Sequence, residues 1–248
     1  MNRKGPEMPE RAMILAAGLG KRMRPITNET PKPLVKVAGR TLLDWSLDRF
    51  AEAGVRSVAV NTHHLGGKIK DHLRERASPE IRISPEDELL ETGGGVVKAL
   101  PLLGDGPFFA ANADMLWLNG SANTLERMAQ AWNEDGMDIL MLLHFTVDAY
   151  GYNGRGDYRM DPLGRISRRP ERQVTPYLFT GLQIIHPRLF RDAPKGPFSL
   201  RLLYGKAIDE GRLHGIVHDG EWFHIGTPEG LSEADNYMKM RYAGIKRR

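Results

Sequence analysis

The chain contains no cysteine, so it can form neither a disulfide nor a thiolate metal site, and a reducing cytoplasm is its default compartment. No apolar run approaches the roughly 18 residues that a membrane span needs. Met1–Arg11 carries Arg3 and Lys4, but Met13–Ala17 is too short to be the apolar core of a signal peptide. A basic face interleaved with stacking aromatics is also missing, which argues against a nucleic acid as partner. There is no internal repeat, no low-complexity segment and no linker that would split the chain. What is present is ordinary for a soluble globular protein: 248 residues, 41% hydrophobic and 27% charged. A chain of that length buries roughly 70–75% of its unfolded surface and needs no covalent staple. The net charge of +4 points to anions. Lys239, Arg241, Lys246, Arg247 and Arg248 read as a solvated basic tail, and anionic small substrates account for the remainder.

Short apolar runs alternate with segments of helical spacing. Ala12–Ala17 reads as a buried first strand ended by glycine. Ser57–Asn61, Ile81–Ser84, Phe108–Asn112, Asp138–His144, Tyr177–Ile185 and Leu213–His218 read as further strands. Leu42, Leu43, Trp45, Ser46, Leu47 and Phe50 fall on helical spacing closed by Gly54. Leu65–Arg76, Leu200–Glu210 and Glu229–Arg241 are further helices. Gly94–Leu103 follows as a helix after a glycine turn, and Asn123–Glu134 as one with Asn123 as N-cap. Tyr150–Glu171 lacks a clear period and reads as an insertion or hairpin lid. This rhythm predicts an α/β fold, a three-layer, Rossmann-like, mostly parallel sheet with helices on both faces, in one domain spanning 1–248.

The segment Leu15–Thr27 follows the first strand directly. Small residues at Ala16 and Ala17 let the backbone approach a ligand closely, and Gly18 and Gly20 can present N–H groups to phosphate oxygens. Lys21, Arg22 and Arg24 add cations within the same turn. A dinucleotide-binding fingerprint needs a glycine where Met23 stands, and a Walker loop needs a different spacing, so neither applies. Downstream, Thr30–Leu34 holds Lys32 between Pro31 and Pro33, which restricts the backbone around one ammonium group.

Leu-Ala-Ala-Gly-x-Gly-x-Arg-Met-x-Pro-x-Thr with Pro-Lys-Pro-Leu downstream resembles the signature of nucleotidyltransferases that activate sugar 1-phosphates. The subgroups most similar to it are the N-acetylmuramic acid 1-phosphate uridylyltransferases and the bacterial mannose-1-phosphate guanylyltransferases. The resemblance implies transfer of a nucleotidyl group from an NTP to a sugar 1-phosphate, with residues 12–115 mainly binding nucleotide and 116–248 mainly the sugar. It places Arg22 on the β- and γ-phosphates, Lys32 on the α-phosphate, and Gly18 and Gly20 against the nucleotide. The stretch Ser84–Gly95 matches the loop that closes over the base, with Glu86 accepting hydrogen bonds from the base edge and Thr92 and Gly93 giving backbone contacts. An ionised carboxylate suits guanine and also a single uracil N–H; Leu90–Gly95 favours UTP.

Asp114 ends a strand at the sheet's carboxyl edge, where either a helix cap or a metal ligand could stand; the neighbouring phosphate loop favours Mg²⁺. Trp222–Thr227 resembles the family's Trp-x-Asp-x-Gly-Thr, with His224 where the second metal-ligating Asp is expected. Imidazole suits Mn²⁺, Co²⁺ or Zn²⁺ better than Mg²⁺. Three readings remain open: His224 binds metal, His224 binds phosphate, or Asp114 holds Mg²⁺ largely alone. By the same resemblance Asn112, Gly151, Tyr152 and Gly181 line a sugar pocket and Arg169 meets the sugar phosphate, although a solvated basic turn explains Arg169 as well. His63 and His64 read as caps. A phosphocholine-type cytidylyltransferase would need an aromatic cage from Trp117, Tyr150 and Tyr152, and loss of a metal ligand would permit a non-catalytic sensor.

Overall fold

The computed structural model describes residues 8–245; Lys246, Arg247 and Arg248 of the expected basic tail lie outside them. Its strands and helices follow the alternation of the sequence. In chain order they are β1 (Arg11–Leu15), α1 (Ile26–Glu29), β2 (Lys36–Val37), β3 (Arg40–Thr41), α2 (Leu42–Glu52), β4 (Ser57–Thr62) and α3 (Gly66–Leu73). Then come β5 (Glu80–Pro85), α4 (Glu91–Leu103), β6 (Phe108–Asn112), β7 (Met115–Trp117), α5 (Thr124–Ala131) and β8 (Ile139–Phe145). The chain ends with β9 (Tyr158–Met160), β10 (Ile166–Arg168), β11 (Tyr177–Ile185), α6 (Arg201–Asp209), β12 (Leu213–Val217), β13 (Trp222–His224) and α7 (Pro228–Ile245).

Four strands pair in parallel in the order β5-β4-β1-β6. β11 then runs antiparallel to β6 and to β8, and β12 lies parallel to β8, so the sheet is mixed around a parallel core. Side-chain alternation along the strands splits the core into two layers. Ala12, Ile14, Val58, Val60 and Phe109 pack with Leu43, Leu47 and Phe50 of α2, Ile69 of α3 and Met128 of α5. Met13, Ala59, Phe108 and Ala110 pack with Val96 and Ala99 of α4 and Leu203 and Ala207 of α6. Helices therefore cover both faces, as the alternation predicts.

Local chemistry fixes the helix starts. Thr41 caps α2 by accepting from Asp44 N–H at 3.0 Å, and Asn123 caps α5 by accepting from Leu125 and Glu126 N–H at 2.9 and 3.4 Å. Two expectations shift. β1 ends at Leu15, which leaves Ala16 and Ala17 to the loop. α4 begins at Glu91, so Gly93, Gly94 and Gly95 lie inside the helix and form no entry turn. The Tyr150–Glu171 stretch does contain a hairpin: β9 and β10 pair with each other and join β11 through Tyr158 and Tyr177, so it widens the sheet. Lys239 and Arg241 are not simply solvated, since they pair with Asp235 and Glu221.

Candidate active site

Parallel strands release their loops at one edge of the sheet, and ligands of open α/β sheets bind there. At the ends of β1, β4 and β6 the structure has a cavity of about 360 Å³. Ala16, Ala17, Gly18, Gly20, Lys21 and Arg22 form one wall of it, and Lys32, Asn112 and Asp114 stand on the wall with them.

The loop owes its shape to a few fixed points. Gly20 sits at φ +61°, a backbone that a side chain would strain, and a Cβ there would also meet Thr27 Cγ2 at 2.9 Å. The Thr27 hydroxyl is buried and donates to Gly20 O at 2.8 Å, which explains why the motif ends in threonine. His64 Nε2 lies 3.1 Å from Thr27 O and His63 Nδ1 3.0 Å from Glu86 O, so this histidine pair ties separate loops together and does not cap its own segment. Open space surrounds Gly18. Lys21 and Arg22 are exposed, with no ionic partner among the described residues, and so are free for an anionic ligand.

On that wall, Lys32 Nζ donates to Asp114 Oδ2 at 2.9 Å. Burial pushes the Asp114 carboxyl up, but Lys32, His224 and Arg22 together outweigh it and hold the pKa below the usual carboxylate value. His224 comes from the far end of the chain. β13 pairs antiparallel with β7, setting His224 opposite Met115, and Ile225 N–H donates to Asp114 O at 2.9 Å. The His224 ring stacks on Trp222 with centroids 6.0 Å apart and covers Gly226, whose Cβ would strike it. Burial lowers the His224 pKa; Asp114 opposes this, and Lys32 and Arg22 lower it further. A lowered pKa favours the neutral imidazole, which has a lone pair to offer a metal. Among the described residues no three His, Asp or Glu side chains gather to hold a metal ion. An ion bound by Asp114 and His224 needs further ligands from water and substrate, which is how Mg²⁺ is usually held.

The opposite wall differs from expectation. Glu86 is 5% exposed and does not line the cavity. Its Oε1 accepts from Asn61 Nδ2 at 2.7 Å and its Oε2 from Leu90 N–H at 3.0 Å, so the carboxylate is already engaged inside the protein. Asn61 in turn accepts from Ala16 N–H at 2.7 Å and lines the cavity. Sequence reasoning missed Asn61; its position at the end of β4, beside Leu15 in register, was the available signal. Gly93 is also off the cavity and packs against the Phe198 ring, while Thr92 and Glu91 line it. Thr92 Oγ1 accepts from Leu200 N–H at 2.9 Å.

Of the expected sugar-pocket residues, only Asn112 is on the cavity wall. Gly181, at φ +92° in a bulge of β11, supports it; a Cβ there would lie 2.9 Å from Asn112 Nδ2. Gly151 packs against the His224 backbone, and Tyr152 OH accepts from Gly156 N–H at 3.1 Å. Arg169 is committed to the carbonyls of Gly156 and Gln173, at 3.0 and 3.1 Å, and braces its own loop. Trp117, Tyr150 and Tyr152 form no cage: Trp117 packs on Phe50, Tyr150 on Phe223, and Tyr152 on the edge of Trp222.

Known proteins resemble the chain over most of its length. Residues 12–187 match the family model described as MobA-like NTP transferase domain. The chain is 39% identical over 234 residues to N-acetylmuramate alpha-1-phosphate uridylyltransferase of Caulobacter vibrioides, covering 92% of this chain and 97% of that one. The protein of the same name from Neisseria meningitidis is 35% identical, covering 90% and 96%. Among solved structures, a UDP-glucose pyrophosphorylase complexed with UDP-glucose superposes with a TM-score of 0.78 at 18% identity, covering 93% of this chain and 98% of that one, which establishes a shared fold. The chain belongs to the MobA-like NTP transferase domain family and is an enzyme of the sugar-1-phosphate nucleotidyltransferase class.

Proposed function

We propose that the chain transfers a uridylyl group from UTP to N-acetylmuramic acid 1-phosphate and releases pyrophosphate. The observation that carries this reading is the Lys32–Asp114 pair on the wall of a cavity that is also lined by the glycine loop with free Lys21 and Arg22. The two relatives named for this activity, at 39% and 35% identity over nearly their whole lengths, support the choice of base and sugar.

In this reading an oxygen of the sugar 1-phosphate attacks the α-phosphorus of UTP in line. The new bond is O–Pα, and the bond from Pα to the bridging oxygen of pyrophosphate breaks. The attacking phosphate is already ionised at neutral pH, so positioning and charge neutralisation matter more than a general base. Lys21 and Arg22 hold the β- and γ-phosphates. Lys32 exchanges its carboxylate partner for the α-phosphate and neutralises charge that builds there. Asp114, with the neutral His224, would hold a divalent ion, Mg²⁺ or Mn²⁺, which when bound supplies positive charge to the triphosphate. Residues 12–115 mainly hold nucleotide and 116–248 mainly the sugar, within one domain and in a reducing cytoplasm. Among the described residues no helix is long and apolar enough to cross a membrane.

Initial rates of pyrophosphate release, with four NTPs against several sugar 1-phosphates, test the assignment. UTP with N-acetylmuramic acid 1-phosphate should give the highest kcat/KM. A tenfold preference for GTP with mannose 1-phosphate would replace it with the activity named for the zebrafish relative at 28% identity.

A further inference from the structure

Glu91 is the one carboxylate on the cavity wall besides Asp114, and it has no hydrogen-bonding or ionic partner among the described residues. Its backbone is at φ +58°, the left-handed region that a residue with a side chain rarely adopts. The surrounding frame enforces that conformation. Leu90 N–H is bound by Glu86 Oε2, and Leu90 O accepts from Phe198 N–H at 3.2 Å. On the other side Gly93 N–H donates to Phe198 O at 2.8 Å, and Thr92 Oγ1 accepts from Leu200 N–H. Glu91 stands between these anchors. A glycine would relieve the strain, yet a glutamate occupies this position on the cavity wall, the pattern expected where strain serves a ligand.

Charge decides which part of a nucleotide meets it. A carboxylate repels phosphates and only accepts hydrogen bonds. The cations Lys21, Arg22 and Lys32 mark the phosphate side of the cavity, and none of them pairs with Glu91. Glu91 follows Leu90, which Glu86 joins to Asn61, and Asn61 lies on the β4 side of Leu15; Asp114 lies on the β6 side. A nucleotide whose phosphates meet those cations would set its nucleoside toward the Glu91 side. The pairing edge of uracil offers one N–H flanked by two carbonyl oxygens, so a two-oxygen acceptor would meet a carbonyl there. The ribose offers two adjacent hydroxyl donors, which match the two carboxylate oxygens.

Resting on the uridylyl-transfer reading, we infer that Glu91 is a specificity-determining residue that accepts hydrogen bonds from the 2′- and 3′-hydroxyls of the nucleotide ribose. It distinguishes ribonucleotides from deoxyribonucleotides.

The test compares UTP with 2′-deoxy-UTP, 3′-deoxy-UTP and GTP in wild type, Glu91→Gln and Glu91→Gly, together with the Tm of each. Wild type should prefer UTP by about tenfold or more in kcat/KM, the scale of a hydrogen bond to a charged group. Both variants should lose most of that preference, with the larger share of the loss in KM for UTP. Glu91→Gly should keep a Tm at or above that of wild type, because strain is released, which separates lost recognition from lost folding. An unchanged preference in both variants overturns the inference, as does a change only in UTP against GTP selectivity. Absence of pyrophosphate release in wild type with either nucleotide would instead overturn the underlying reading.

Discussion

Lys32 carries the heaviest chemical assignment of any single side chain. Its flanking prolines and its 2.9 Å contact to Asp114 hold the ammonium at the cavity before nucleotide arrives. Lys32→Ala should lower kcat by about 10²–10³, the scale of removing one preorganised transition-state donor, with a much smaller change in KM for UTP. Steady-state kinetics at saturating sugar 1-phosphate measure this, and unchanged turnover would remove Lys32 from the mechanism. His224 makes a separate prediction. A neutral imidazole is a softer ligand than a carboxylate, so His224→Asp should raise the ratio of activity in Mg²⁺ to activity in Mn²⁺. Parallel assays in the two ions read that ratio directly, and an identical ratio would mean that His224 does not touch the metal.

The start of α4 shows how an element can be built for close approach. Gly93 leaves room for the Phe198 ring; a Cβ on Gly94 would lie 2.5 Å from the carbonyl oxygen of Gly196, and one on Gly95 2.8 Å from Asn61 and Glu86. Gly93→Ala should destabilise the fold by about 1–3 kcal/mol through overpacking, and Phe198→Leu should recover part of it in the double variant. Chemical denaturation of the three variants gives the coupling; strictly additive losses would mean that the contact is not what excludes a side chain. These glycines also mark the limit of sequence reading. Their run was visible, but the partners of Gly93 and Gly94 sit about a hundred residues away and leave no local pattern. The same holds for β7 and β13, three residues each, whose pairing brings His224 to Asp114. The long periodic elements and the glycine loop were legible because apolar spacing and turn chemistry are local. Glu86 was misplaced because a sequence cannot show which way a carboxylate turns; Asn61 and Leu90 turn this one inward.

Across the whole molecule, buried ionisable groups set the response to acid. Burial lowers His218 to about 4, with His144 and Arg127 adding to that effect against Glu221 and Asp219. The unfolded chain, with an ordinary histidine near 6.5, then binds more protons than the native one between those values. Stability should therefore fall as pH drops from about 6.5 to about 4. Asp138 adds a lower window: burial raises its carboxyl, but Arg212 and Arg188 outweigh that and hold it below 3.8, so its contribution is lost as pH falls through that depressed value. His218→Gln should flatten the upper window and leave the lower one, as followed by urea midpoints against pH; an unchanged slope would place the proton uptake elsewhere. The site itself joins both ends of the fold, with the ends of β1, β4 and β6 lining the cavity and the β7–β13 ribbon bounding it at Asp114.

Labelled UTP tests most directly which phosphorus atom is transferred. With UTP labelled at the α-phosphorus and N-acetylmuramic acid 1-phosphate as acceptor, the label should appear in a nucleotide sugar while unlabelled pyrophosphate is released in equal amount. Label recovered as free UMP, or UTP left unconsumed, would contradict the account.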